Sequence, residues 1–163
     1  MAQVGGKPSL KARAIGLLSR REHSRTELRR KLAPHCEEPA ELEALLDDLE
    51  RNDWLSQERF AESLVHRRAS RHGMRRIMQE LRQHELPEDA LDEIAGKLRS
   101  TELERARAVW EKRFGAPPGD AREYAKQVRY MAARGFTADS VRRILSEADS
   151  HLPDDSFFDD APG

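Results

Sequence analysis

The stretch MRRIMQELRQHELPEDALDEI, residues 74–94, contains the pattern of a helix, a turn and a second helix. Ile77 and Leu81 lie four residues apart, so they share one face of a helix. Pro87 suits the first turn of the helix that follows, and Leu91 resumes the apolar spacing after it. This segment therefore predicts two packed helices joined by a short turn.

The same apolar spacing occurs three times along the chain, at intervals of 49 and 50 residues. The matching sets are Leu32, Leu42 and Leu45; Leu81, Leu91 and Ile94; and Met131, Val141 and Ile144. Leu86 and Phe136 occupy matching turn positions in the second and third sets. Self-similarity at a fixed period is typical of tandem repeats in which each unit packs on its neighbour.

The helical period recurs almost without interruption, which predicts an all-α chain of nine helices grouped in threes. Ser24 and Thr101 each begin a capping-box pattern, Ser56 is placed to cap a further helix, and Gly73 is expected to interrupt one. The predicted organisation is a flexible N-terminus over 1–8, three-helix repeats over 9–54, 55–99 and 100–148, and a disordered acidic tail over 149–163. An elongated array of repeats suits the low apolar fraction of 37%.

Charge is segregated along the chain although the net charge is only −1. Residues 11–31 hold eight basic and two acidic side chains, whereas residues 37–53 hold one basic and eight acidic ones. Residues 64–84 hold six arginines and one acidic residue, Glu80. Because local potential steers a polyanion, a near-neutral total does not argue against nucleic-acid binding.

Several classes of protein find no support in the sequence. Cys36 is the single cysteine, which excludes an internal disulfide, and the histidines show no spacing typical of a metal site. No phosphate-binding glycine loop or nucleophile elbow is present, so we expect no catalytic residue and no cofactor. No apolar run is long enough for a membrane span and no secretory signal is visible, so a cytoplasmic, non-enzymatic protein is expected.

Three motifs resemble the RecX regulators. Residues 17–28, LLSRREHSRTEL, resemble the start of that family, and residues 54–61, WLSQERFA, resemble its signature. RHGMRRI at residues 71–77 follows at the family's distance, and Arg134-Gly135-Phe136-Thr137 fits its third repeat. The resemblance covers about residues 10–148. One departure is His84-Glu85, where family members often carry Lys-Gly in a turn that suits glycine.

The resemblance implies a curved array of three-helix repeats. It also implies a regulator that binds the RecA nucleoprotein filament in its groove, bridging neighbouring subunits. Inhibition of the recombinase's ATPase and strand exchange would follow, and with it modulation of homologous recombination and the SOS response. The partners implied are the RecA filament and single- and double-stranded DNA, with no membrane, and the chain is expected to be a monomer.

Arginine clusters are the candidate contacts to phosphate or to an acidic protein groove. The main candidate comprises Arg67, Arg68, Arg71, Arg75, Arg76 and Arg82. Secondary basic patches comprise Arg20, Arg21, Arg25, Arg29, Arg30, Lys31, Arg129, Arg134, Arg142 and Arg143. On the helix after Gly73, Arg75, Arg76 and Arg82 fall opposite the apolar stripe. The competing interpretation is a solvated face whose arginines pair with Glu58, Glu80 and Glu85.

Two other functions remain open from the residues alone. Ser24–Leu49 offers two helices and a turn, as in a helix-turn-helix DNA reader, although its second helix is acidic. The second open function is a helical-repeat adaptor that binds only a protein partner.

The aromatic residues are assigned mostly to the core. Phe60, Trp110, Tyr124 and Phe136 lie on apolar stripes, and Trp54 is expected to pack between repeats. The tail places Phe157-Phe158 among aspartates. It is either a solubilising end or a short motif that docks on a partner or competes with DNA for the arginine faces.

Overall fold

The computed structural model describes residues 5–150, and every regular element in that range is helical. The eight α-helices are α1 (Leu10–Leu18), α2 (Arg25–Leu32), α3 (Pro39–Arg51), α4 (Gln57–Arg68), α5 (Met74–Arg82), α6 (Glu88–Arg113), α7 (Ala121–Ala133) and α8 (Ala138–Ser150). A short 3₁₀ turn, Ala33–His35, follows α2. The all-α prediction is confirmed. The predicted lead-in over 1–8 and the predicted tail over 149–163 lie partly outside the described residues. Asp149 and Ser150, assigned to the tail, belong to α8 instead.

The prediction of nine helices is wrong for the described residues because α6 is one helix of 26 residues. Thr101 does not cap a new helix, and its hydroxyl donates to the Leu98 carbonyl one turn earlier, at 3.4 Å. Residues 97–107 contain no proline or glycine and are rich in Leu, Glu, Arg and Ala, so nothing there ends a helix. The capping pattern is overridden by good helix formers on both sides.

The other predicted helix starts are confirmed. The Ser24 hydroxyl accepts the Glu27 N–H at 3.1 Å at the start of α2. Ser56 accepts the Arg59 N–H at 3.2 Å at the start of α4. These bonds satisfy N–H groups that have no partner within the helix.

The first of two compact units contains residues 5–68 and 78–93 of the described range. Its core cluster is formed by Ala14, Leu28, Leu32, Leu42, Leu46, Leu49 and Leu55. Phe60 is also buried in this unit, as its stripe predicts. Trp54 is 48% exposed, so the expected packing of this side chain is wrong. It follows Asp53, whose φ of 62° lies in the left-handed region just after α3.

The second unit contains residues 69–77 and 94–150 of the described range. Its core cluster is formed by Ala106, Trp110, Met131, Phe136, Val141, Ile144 and Leu145. Trp110 and Phe136 are buried as predicted, and Trp110 donates to Gln127 at 2.8 Å. Tyr124 is 41% exposed, so its assignment to the core is wrong. No helix in residues 5–150 combines the length and apolarity needed to cross a bilayer.

Candidate nucleic-acid interface

The start of α5 is anchored by its backbone to the turn between α7 and α8, within the second unit. The Gly73 N–H donates to the Arg134 carbonyl at 2.8 Å, and the Arg75 N–H donates to the Gly135 carbonyl at 3.1 Å. Between them, the Met74 N–H donates to a carboxylate oxygen of Glu102 at 3.0 Å. Three consecutive N–H groups at this helix start therefore have partners from elsewhere in the chain.

This anchoring depends on two glycines that meet backbone to backbone. A Cβ built on Gly73 would lie 2.3 Å from the carbonyl carbon of Gly135 and from the nitrogen of Phe136. Gly135 has a φ of 90°, and a Cβ there would lie 2.5 Å from the Cβ of Arg76. The contact holds the first turn of α5, and the arginines on it, against the α7–α8 turn.

Two charged residues that the sequence reasoning missed support the same region. Glu102 is 3% exposed, a charged side chain buried within a helix. Arg105, one turn further along α6, donates to the carbonyls of Ala69 at 3.1 Å and His72 at 2.8 Å. Burial lowers the pKa of Arg105 from its ordinary value. The three-residue spacing of Glu102 and Arg105 does not predict these contacts, because their partners are backbone groups distant in sequence.

Replacing Glu102 with alanine is expected to destabilise the second unit by about 1–3 kcal/mol, because the part-buried Met74 N–H loses its acceptor. Glu102→Gln keeps an acceptor oxygen and should lose less. Glu104→Ala, an exposed site two residues along α6, serves as the matched control. Urea denaturation measures all three. An equal loss of unfolding free energy in the Glu102→Ala and Glu104→Ala variants would show that the bond from the Met74 N–H to Glu102 does not stabilise the unit.

Arg71, Arg75 and Arg76 are exposed beside this anchor. Arg76 donates to the Ala133 carbonyl at 3.4 Å, and none of the three forms an ion pair with any residue in 5–150. The second unit as a whole has fifteen basic and eight acidic residues in its described range. Positive charge here is therefore available to an outside partner.

Four more candidate arginines belong to the second unit. Arg134 lies over the Tyr130 ring, with its guanidinium carbon 5.1 Å from the ring centroid. Arg129, Arg142 and Arg143 are exposed, and they have no carboxylate partner among residues 5–150.

The other members of the main candidate cluster belong to the first unit, where one is neutralised. Arg68 binds both carboxylate oxygens of Glu80 at 3.1 Å, and these bonds raise its pKa. Arg67 donates to the Ser63 carbonyl in its own helix, and Arg82 is exposed. The predicted pairing with Glu80 thus holds for a single arginine.

The N-terminal basic patch is divided by its acidic neighbour α3. Arg25 is bound by Glu43 at 3.0 Å, Asp47 at 2.7 Å and Glu50 at 3.0 Å. Although burial opposes its charge, hydrogen bonds to Glu43 and Asp47 raise the pKa of Arg25. Bonds from Arg29 and Arg25 in turn lower the pKa of Glu43 to about 2.

Arg21 is paired in the same unit, with Glu27. The three remaining basic residues of the patch are exposed and without an ion pair inside the described range: Arg20, Arg30 and Lys31. About half of the patch is therefore neutralised within the protein.

A second turn, after α5, anchors the start of α2 within the first unit. Ser24 Oγ lies 2.6 Å from Nδ1 of His84, and Thr26 donates to the His84 carbonyl at 3.1 Å. Glu85 has a φ of 53°, which confirms the left-handed turn expected at that position. Gly135 occupies the matching position in the α7–α8 turn. The two turns therefore share a left-handed residue at the same position. That residue is Glu85 in the first turn, although glycine adopts this conformation at lower energy.

His84 gives the first unit a pH dependence. The ring packs 4.6 Å from Phe60, and burial lowers its pKa below the ordinary 6.5. Glu27 and Glu80 oppose that shift, whereas Arg30 and Arg21 reinforce it. His23, which is also buried, has its pKa lowered in the same way. Near pH 6 the unfolded chain therefore binds more protons than the folded one.

We expect the free energy of unfolding to fall as the pH drops from about 7.5 to about 5.5, since stability is lost where only the unfolded histidines gain protons. His84→Gln should reduce that fall, whereas His66→Gln, at an exposed site on α4, should leave it unchanged. Carboxylates such as Glu43 respond below this window. Urea denaturation across the pH range measures the effect, and equal slopes for all three proteins would contradict it.

The fold and these turns define a class: an all-helical protein in which the same contact between a helix start and a turn occurs twice, with arginines exposed that have no ion pair within residues 5–150. Models of the first, second and third three-helix domains of RecX match residues 11–49, 56–93 and 100–145. These matches cover well over half of the chain, in order. The chain belongs to the RecX family.

Relatives named regulatory protein RecX extend along nearly the whole chain. The one from Ralstonia nicotianae is 64% identical over 90% of this chain and 92% of its own length. The one from Ralstonia pickettii is 61% identical over 93% of this chain and 95% of its own length. A regulatory role is thus shown at the level of the family.

A solved structure agrees on the fold. The crystal structure of RecX from Lactobacillus salivarius superposes with a TM-score of 0.73, at 19% identity, covering 86% of this chain and 95% of the other. At that identity the likeness concerns the fold alone.

Proposed function

We propose that this protein binds the RecA nucleoprotein filament and restrains it, inhibiting DNA-dependent ATP hydrolysis and strand exchange. The observation that carries the proposal is the set of exposed arginines Arg71, Arg75 and Arg76. They have no carboxylate partner within residues 5–150. They lie at or just before the start of α5, which backbone hydrogen bonds hold in place. The relatives' name, regulatory protein RecX, supports a regulatory role.

The proposed contact is electrostatic and needs no chemistry from the protein. Guanidinium groups bind phosphate oxygens with two parallel hydrogen bonds. They bind the carboxylates of an acidic protein loop in the same way. A filament offers phosphates at regular spacing, so an arginine cluster held in place meets several at once. Binding of this kind inhibits the recombinase by occupying the filament. In this proposal the protein is a non-enzymatic, cytoplasmic regulator.

The helix-turn-helix alternative is disfavoured by α3. A recognition helix must approach phosphate, but Glu43, Asp47 and Glu50 of α3 form an acidic face that binds Arg25 of α2. That face would repel the DNA backbone, and Arg25 is already bound to its carboxylates. An adaptor that binds only a protein remains an outcome of the test.

The deciding experiment is a titration of recombinase ATPase on single-stranded DNA with added protein. Inhibition at concentrations comparable to the recombinase supports the proposal. Salt-dependent binding to DNA with and without recombinase separates the alternatives. Tight binding to naked DNA without inhibition indicates a DNA reader, and salt-independent binding to recombinase alone indicates an adaptor.

A further inference from the structure

A cavity of about 480 Å³ lies in the second unit between the start of α7 and the end of α8. Its lining includes Pro118, Tyr124, Arg142, Leu145, Ser146 and Asp149. Tyr124 is 41% exposed here, one of two large apolar side chains so exposed among residues 5–150. The cavity therefore combines an aromatic ring and an aliphatic wall with one cation, Arg142, and two carboxylates, Asp120 and Asp149.

The chain leaves α8 at the edge of this cavity. Ser146 and Asp149, on the last turns of α8, line it, and thirteen residues follow Ser150, all outside the described range. Arg142 lies about 12 Å back along the helix from Ser150. Seven extended residues span up to roughly 23–25 Å, so Phe157 can reach any part of the cavity.

The two phenylalanines of that segment complement the apolar part of the cavity, and its aspartates can pair with Arg142. Phe157-Phe158 is flanked by Asp154 and Asp155 on one side and by Asp159 and Asp160 on the other. The second unit has nearly twice as many basic as acidic residues, and Arg142 and Arg143 are adjacent on α8.

The acids of the cavity limit how the segment can lie. Asp120 and Asp149 line it too and repel aspartates. This favours an arrangement with the phenylalanines beside Tyr124 and Leu145 and the aspartates toward Arg142.

We propose that residues 151–163 dock in cis on this cavity, with Phe157-Phe158 against Tyr124 and the flanking aspartates facing Arg142 of α8. Aromatic pairs and apolar burial favour the contact, and charge complementarity orients it. Docking covers Arg142, a candidate nucleic-acid contact, so the segment acts as an internal competitor for that surface.

The test uses the full chain with fluorotyrosine at Tyr124 and Tyr130, its only two tyrosines. Tyr130 is the internal reference because it packs edge-on against Phe114, at 5.3 Å. Phe157→Ser with Phe158→Ser should move the Tyr124 fluorine resonance and leave that of Tyr130 in place. Tyr124→Phe assigns the signals, and Ala161→Ser with Pro162→Ser is the matched control.

Two results overturn the proposal. An unmoved Tyr124 resonance at low salt shows that the segment does not dock there. A Tyr124 resonance that changes on about tenfold dilution shows docking by a second copy, because an intramolecular contact is independent of concentration.

The effect on nucleic-acid binding rests on the proposed function and is measured separately. The double serine variant should bind single-stranded DNA more tightly at low salt. The gain has a ceiling of about tenfold for a segment docked about 90% of the time, and it is smaller because Arg71, Arg75 and Arg76 lie outside the cavity. A moved Tyr124 resonance with unchanged DNA affinity leaves the docking intact and rejects the competition.

Discussion

Replacing Gly73 with alanine is expected to lower the free energy of unfolding by about 2–4 kcal/mol. The new Cβ would lie 2.3 Å from backbone atoms of Gly135 and Phe136, which cannot rotate away as a flexible side chain can. The start of α5 must therefore move off the α7–α8 turn. Overpacking costs roughly 1–3 kcal/mol, and each weakened backbone hydrogen bond about 1 kcal/mol more.

Gly135→Ala tests the same contact from the opposite side. Its Cβ would meet Arg76, and its φ of 90° is unfavourable for alanine. Gly96→Ala, in α6 with nothing within 4 Å, is the matched control. It should stabilise the protein by about 0.5–1 kcal/mol through higher helix propensity.

Urea denaturation measures stability, and hydrogen exchange at the Arg75 amide reports the local contact, since this N–H bonds to Gly135. A Gly73→Ala protein as stable as the wild type, with the Arg75 amide still protected, would show that the two backbones do not meet.

Charge reversal at Arg71, Arg75 and Arg76 is expected to weaken inhibition of the recombinase roughly 50-fold at physiological salt. Each phosphate contact to a single strand contributes about 0.7 to the slope of log affinity against log salt. Removing three should reduce that slope by about 2, and repulsion by glutamate adds to the loss. The fold should survive, because the anchoring bonds of α5 use backbone N–H groups.

The matched control carries the same change in net charge on the same unit. Lys112, Arg122 and Lys126 are exposed on α6 and α7, and their replacement by glutamate should reduce inhibition far less. The readout is the concentration of protein that halves recombinase ATPase at several salt concentrations. Equal losses in the two triple variants would mean that net charge, not this cluster, carries the binding.

Secondary structure was largely predictable because it follows from local spacing. Ile77, Leu81 and Leu91 are buried, as the apolar period requires, and Ser24 caps α2 as its type and position indicate. The predictions that failed concern Thr101, Tyr124 and Trp54. A capping residue cannot act inside a continuous helix, and an aromatic residue on a stripe is buried only if another element covers it.

The candidate site was less predictable. Arg25 and Arg75 are alike in sequence, each in a basic cluster at a helix start, but Arg25 is bound by three carboxylates of α3 and Arg75 by none in residues 5–150. Which arginine is neutralised depends on the helix packed beside it. The assignment of candidate residues to a filament contact, and the repeat boundaries 9–54, 55–99 and 100–148, stay predictions.

The amino-acid sequence alone determined an all-helical chain, its threefold periodicity, its motifs of the RecX family and the side of α5 that bears arginines. These properties depend on residues within a few turns of one another, and local propensity and spacing encode them. The tertiary structure decided which cations are neutralised, where Glu102 and Arg105 bind, and why Gly73 and Gly135 must be glycines. Each of these depends on atoms brought together from distant parts of the chain, where distance and burial, not residue type, set the energy.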